Sequence, residues 1–144
     1  MKWIEQFKAM YQNLNASNLA SLDQFYAPQA VFIDPFHQVD GLAAIRSYFS
    51  NLYANVDSIG FDYNWQLVEA NQAVIGWTMR YRHPRVNRGR TVQLEGVSRI
   101  EIAEQLIVRH QDYFDGGAML YEHLPLLGSA VRYLKHRMVD SEVS

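Results

Sequence analysis

Residues 26–49, YAPQAVFIDPFHQVDGLAAIRSYF, hold the pattern from which the fold is read. Pro28 lacks an N–H and its ring clashes with a preceding helical turn, so a helix arriving from upstream stops there. The apolar run 30–33 reads as a short strand carrying the chain inward. It delivers Asp34, which Pro35 steers toward an extended backbone, with His37 three residues on. Asp40-Gly41 is a turn signal. Leu42, Ile45, Phe49 and Leu52 then recur at helical spacing, which predicts a helix ending near residue 55. A carboxylate at the end of a buried strand, between elements able to wall a pocket, is a place to look for chemistry.

Upstream, Ile4, Phe7, Tyr11 and Leu14 form one stripe of a helix over 2–14. Asn18 is placed to cap a second helix whose stripe is Leu19, Leu22, Phe25 and Tyr26. Downstream the period changes from helical to alternating. Strands are predicted over 61–69, 73–82, 90–101 and 105–114, with a loop at 83–89 and short turns that make an antiparallel meander. Tyr63, Trp65 and Leu67 are expected on one face of the first of these. Ile75, Trp77, Met79 and Tyr81 share a face of the second. Residues 118–138 are helical in pattern, with a basic end at Arg132, Lys135, His136 and Arg137 that complements the helix dipole. Helices first and a sheet afterwards define an α+β class. The expected architecture is a cone: three N-terminal helices packed on a strongly curved antiparallel sheet, with an extra C-terminal helix. The domain is expected over 1–117, and 118–144 is its amphipathic extension.

The chain has 144 residues and a formal net charge of −2, which predicts one globular domain without a general attraction to nucleic acid or anionic lipid. The first 79 residues carry three basic and seven acidic groups, and the remaining 65 carry ten and eight. There is no cysteine, hence no disulfide framework, thiolate zinc site or cysteine nucleophile. No secretory leader pattern and no apolar run of about 18 residues is visible, so a cytoplasmic protein is expected.

Asp34 is the candidate general base, with Phe32, Phe36 and Ile33 as apolar walls that would desolvate it. Its plainer reading is an Asp whose oxygens cap a turn. His37 either pairs with Asp34 as an acid/base dyad or lies in an exposed loop. His110 and Asp112 stand at i, i+2 on the last strand and face the same way, either into the cone or out of it. The five histidines show no ligand cluster, so no metal is expected, and the missing Gly-rich phosphate loop suits cofactor independence. Trp65 and Trp77 are read as pocket lining or as an interface face. The arginines of residues 80–90 read as a solvated hairpin rather than a phosphate site.

The string 26–35, the glycine at Gly41 and the helix through Ile45 and Phe49 resemble the SnoaL-like and ketosteroid-isomerase-like branch of the nuclear transport factor 2-like superfamily, over about residues 4–115. The tail segment 121–128, YEHLPLLG, resembles an extension found in a bacterial SnoaL-like subgroup. The resemblance puts Asp34 at the position of the isomerases' base and Tyr11 close to their oxyanion-hole tyrosine. The second oxyanion donor's position falls at or beside Gly96, and alternation turns the adjacent Glu95 to the other face; here the chain departs from the isomerase pattern. A His110–Asp112 pair in the cone would resemble the dyads of family dehydratases and cyclases. The resemblance also implies homodimers paired through the sheet face.

These readings converge on a cofactor-independent isomerase, dehydratase or hydrolase acting on a small apolar molecule, cyclic or lipid-like, with Asp34 as base. The alternatives are a non-catalytic carrier of a small hydrophobic ligand and a dimeric interaction module. For the tail helix, capping the cone or packing in an oligomer comes before contact with a membrane surface.

Overall fold

A computed structural model describes residues 2–119, 130 and 132–139. Helix α1 spans Lys2–Asn13, and a 3-10 helix follows at Leu19–Gln24. Strand β1 is Tyr26–Ile33, β2 is Gln38–Asp40, and helix α2 is Leu42–Asn55. Strands β3 (Ser58–Glu69), β4 (Gln72–Arg82), β5 (Val92–Ala103) and β6 (Leu106–Phe114) form the meander. A short helix α3, Gly116–Met119, closes it, and residues 132–139 are helical.

The six strands make one curved sheet in the order β2-β1-β6-β5-β4-β3, with the helices packed on it. The sheet is mixed rather than wholly antiparallel, because β1 runs parallel to β6. The middle helix of the expected three is a short 3-10 helix of six residues, of which only Leu22 is buried. Asn18 stands at its start without a side-chain cap bond. Its Oδ1 instead accepts the Asn15 N–H at 2.7 Å and its Nδ2 donates to the Asn13 carbonyl at 2.8 Å. The chain thus straightens four residues earlier than the Pro28 signal placed the strand. Pro28 lies inside β1, where the register with β6 shifts between Tyr26 and Val31; an irregular ladder tolerates a residue with no N–H to donate.

Most stripe positions of α1 and α2 read from sequence are buried, while Leu42 and Leu52 are half-buried at the edge of the same cluster. Ile4, Phe7 and Tyr11 of α1, Leu14 just past its end, and Ile45 and Phe49 of α2 meet Ala73 and Ile75 of β4. Each such side chain contributes roughly 1.5–3 kcal/mol when fully buried. Trp77, Met79 and Tyr81 continue the helix-facing side of β4 into a second cluster with Val86, Val92 and Leu94. The face expected for β3 is split. A bulge between Tyr63 and Trp65 puts Tyr63 opposite Trp77 on the helix side and Trp65 opposite Gly76 on the outer side. One extra residue in a period-two strand reverses every later side chain. Trp65 and Leu67 are accordingly exposed. The helix expected over residues 120–129 lies outside the described residues. Lys135 of the tail donates to Asp115 at 2.5 Å, and this bond holds the Asp115 carboxyl below its usual range.

Gly96 stands opposite Trp77. A Cβ there would lie 2.2 Å from the indole, which is buried and has nowhere to go. Gly96→Ala is therefore expected to cost about 1–3 kcal/mol by overpacking, measured by urea unfolding, with stability recovered when Trp77→Leu is added. Gly76→Ala meets the half-exposed Trp65 instead and is expected to cost less.

Candidate active site

Asp34 follows the last residue of β1, and its own turn secures it. Its Oδ1 accepts the backbone N–H groups of Phe36 and His37, both at 2.8 Å, while its N–H donates to the His37 carbonyl at 2.9 Å. Pro35 at the second position favours this turn, and an aspartate oxygen completes it. Oδ2 accepts a hydrogen bond from the Tyr48 hydroxyl, reaching down from α2. The turn-capping role of Asp34 is thus present together with a half-buried phenol partner. Burial, and then the bonded Asp34 carboxylate, push the Tyr48 ionisation far above its ordinary value. Tyr48 keeps its proton, donates it in a hydrogen bond to Asp34, and turns its oxygen lone pairs elsewhere. His37 leaves its ring more than half exposed, with Nδ1 3.6 Å from Asp34 Oδ1. The imidazole stands edge-on to Tyr48 with ring centroids 5.3 Å apart.

Tyr48 and His37 are walls of a cavity of about 610 Å³ between α2 and the helix-facing side of β3 and β4. Leu52, Val56, Ile59, Met79 and Phe36 are among its other walls. Its size suits a small organic ligand. Two other hollows, of about 480 and 640 Å³, contain neither Asp34, His37 nor His110 among their walls. Among the described residues, no three His, Asp or Glu side chains converge on a point that could hold a metal ion.

A second polar system runs through the core. Tyr11 and Tyr26 hydroxyls lie 2.5 Å apart, and Tyr26 reaches His110 Nδ1 at 2.6 Å. His110 Nε2 lies 2.7 Å from Asp112 Oδ1. The same oxygen accepts Ser98 Oγ at 2.5 Å, and Ser98 Oγ accepts the Trp77 indole N–H at 2.9 Å. Asp112 as a carboxylate can only accept, so His110 carries its proton on Nε2 and Nδ1 accepts from Tyr26. Every donor then points, in sequence, toward Asp112: Tyr11 to Tyr26 to His110 from one side, Trp77 to Ser98 from the other. Burial pushes the ionisation of both Tyr11 and Tyr26 well above 10.

The SnoaL-like domain profile matches residues 7–110, most of the chain. The chain belongs to the SnoaL-like family. Solved structures agree on the fold. A nuclear transport factor 2-like protein of unknown function from Burkholderia pseudomallei superposes with TM-score 0.73 at 14% identity, covering 83% of this chain and 92% of that one. A hypothetical protein with a ketosteroid isomerase-like fold from Catenulispora acidiphila, solved with trimethylamine, gives 0.71 at 11%, covering 84% and 90%. An epoxide hydrolase of the LEH-like type from M. tuberculosis gives 0.65 at 16%, covering 79% and 80%. No curated protein matches the chain.

This SnoaL-like chain therefore brings His37 and Phe36 to the cavity, sets Asp34 behind Tyr48 rather than in the wall, and gathers Tyr11, His110 and Asp112 elsewhere. Phe32 is buried against His110, with ring centroids 4.9 Å apart, and does not line the cavity. Trp65 stands outside it because the β3 bulge turned it outward. Trp77 fills the space over Gly96, where the isomerase pattern would hold its second donor. Tyr48, Tyr26 and Ser98 escaped the sequence reading. Tyr48 lies one position beside the α2 stripe, and a hydroxyl next to a helical stripe is the only signal it leaves. Tyr26 was hidden by the helix expected there. Ser98 becomes visible only through the register that sets it opposite Asp112.

The tyrosines give the core relay a pH signature. Their folded ionisation lies above the unfolded value of about 10, so the stability they contribute is fully present below pH 10 and is lost as pH rises beyond it. Each pH unit above 10 is expected to cost about 1.4 kcal/mol for each such tyrosine. Urea unfolding between neutral pH and pH 11 tests this, and Tyr11→Phe should flatten the alkaline slope.

Proposed function

We propose that this SnoaL-like chain takes a small, mostly apolar molecule, cyclic or lipid-like, into the cavity beneath α2 and carries out cofactor-independent proton transfer on it. The reaction class is isomerisation, dehydration or hydrolysis, with Asp34 as the base acting through Tyr48. One observation carries the reading: the hydroxyl bonded to the buried Asp34 belongs to a wall of the apolar cavity. Tyr48 oxygen takes a proton from carbon beside a substrate carbonyl, or from water, as Tyr48 passes its own proton to Asp34 Oδ2. The substrate is left as an enolate, or the water as hydroxide, and Asp34 becomes neutral. The proton returns by the same route to the product. An N–H of the His37 imidazole can donate to the oxygen on which charge develops. Likeness to an epoxide hydrolase of the same fold supports a hydrolytic variant of this chemistry.

A carrier without chemistry is the second reading. The observation in its favour is that three donors already hold Asp34, whose side chain is only 4% exposed.

The test is a panel of enone, epoxide and hydroxy-ketone substrates, with binding and turnover measured separately for the parent, Asp34→Asn and Tyr48→Phe. The expected outcome is retained binding with turnover reduced about 10²–10⁴-fold in both variants. Turnover unchanged in both would remove the base assignment, and binding by the parent without turnover of any panel member would establish the carrier.

A further inference from the structure

The ionisable walls of the cavity are of one sign. His37, His83 and Arg85 contribute to it, and no Asp or Glu does. Its two phenols keep their protons: Tyr48 as described, and Tyr81 because burial pushes it up to about 12. Arg85 is held by a built turn. Pro84 occupies the second position, where its fixed φ is favourable, and the Val86 N–H donates to the His83 carbonyl at 3.1 Å. The Arg85 N–H donates to His83 Nδ1 at 3.0 Å, which leaves the His83 proton on Nε2 as a free donor. Val86 is buried and pins the turn to the Trp77–Met79 cluster. Arg46, Arg80 and Arg99 each pair with a carboxylate. The Arg85 guanidinium, on an exposed residue, has no acceptor among the described residues and borders a cavity whose walls are mostly apolar.

The other end of the cavity has the opposite character. Tyr48 shows its oxygen lone pairs there, with the Asp34 carboxylate behind it. Tyr48 and Asn55 both line the cavity along α2, and seven residues of helix separate them by about 10 Å. Beyond Asn55, the Asp57 N–H donates to the Arg82 carbonyl at 2.7 Å, which seats the far end of α2 beside the His83–Val86 turn. The Tyr48 end thus already holds a carboxylate with His37 beside it, whereas the Arg85 end presents a cation with no carboxylate among the cavity walls.

We infer that the ligand is a monoanionic amphiphile, with its carboxylate or comparable single anion at Arg85 and His83 and its apolar body extending toward Tyr48. This rests on the cavity being the ligand site proposed above, and it adds the charge and orientation of what enters.

Decanoate, decanol and decylammonium share one tail and differ in head charge. They are titrated calorimetrically into the full chain at neutral pH and low salt. Decanoate is expected to bind about tenfold tighter than decanol, and decylammonium weaker than either. Arg85→Gln should bring decanoate to the affinity of decanol and leave decanol unchanged; salt near 1 M should shrink the preference in the parent. Equal binding of decanoate and decanol by the parent overturns the anion assignment while leaving the apolar cavity as a ligand site. A preference that survives in Arg85→Gln overturns the role of Arg85. Binding of none of the three overturns this inference and the cavity reading together.

Discussion

The parallel pairing of β1 with β6 is the constraint on which the rest of the molecule depends. Val31, Phe32 and Ile33 align with Arg109, His110 and Gln111, so the chain must travel through α2 and a three-strand meander before β6 returns beside β1. A parallel pair demands such a long crossover. Its consequence is positional. Asp34 emerges one residue past the pairing, beneath α2 and within reach of Tyr48, and Tyr26 at the start of the same strand is brought to His110.

That arrangement separates two polar systems by a wall of aromatic rings. On one side the Asp34–Tyr48 pair faces an apolar cavity; on the other the Tyr11–Tyr26–His110–Asp112–Ser98–Trp77 relay is closed on itself. Phe32 stands between them, against Tyr48 at 5.5 Å and His110 at 4.9 Å between ring centroids. A buried polar network is favourable only when each member finds a partner, and this one does. Leaving one of its groups unpaired would cost about 1–3 kcal/mol. The relay accordingly specifies how the core packs, and of the other pair Tyr48 is the member that lines the cavity. Trp77 belongs to both accounts: its ring occupies the room over Gly96, and its N–H ends the relay.

Local pattern made much of this legible. The stripe of α1 and the stripe of α2 report burial directly, because a helix shows one face to the core every 3.6 residues. The alternation of β4 did the same for Ile75, Trp77, Met79 and Tyr81. Asp34 could be singled out because it ends an apolar strand before a proline. Where reading by pattern went astray, the cause was a single residue. Tyr26 sits at helical spacing from Leu22 yet starts a strand, and the bulge before Trp65 inverted a face that strict alternation would have kept.

The amino-acid order by itself determined the α+β class, the succession of elements, the apolar faces and the point at which a carboxylate meets a proline turn. These follow from local stereochemistry and from the periodicity with which side chains leave a backbone. Only tertiary structure decided which partner each polar group found. His110 and Asp112 were known to face one way, but which way depended on strand register; Tyr48 was one more residue beside a stripe until α2 was laid over β1. Hydrogen bonds between residues as far apart as Tyr26 and His110 carry no trace in local sequence, because they depend on how the sheet is ordered and registered.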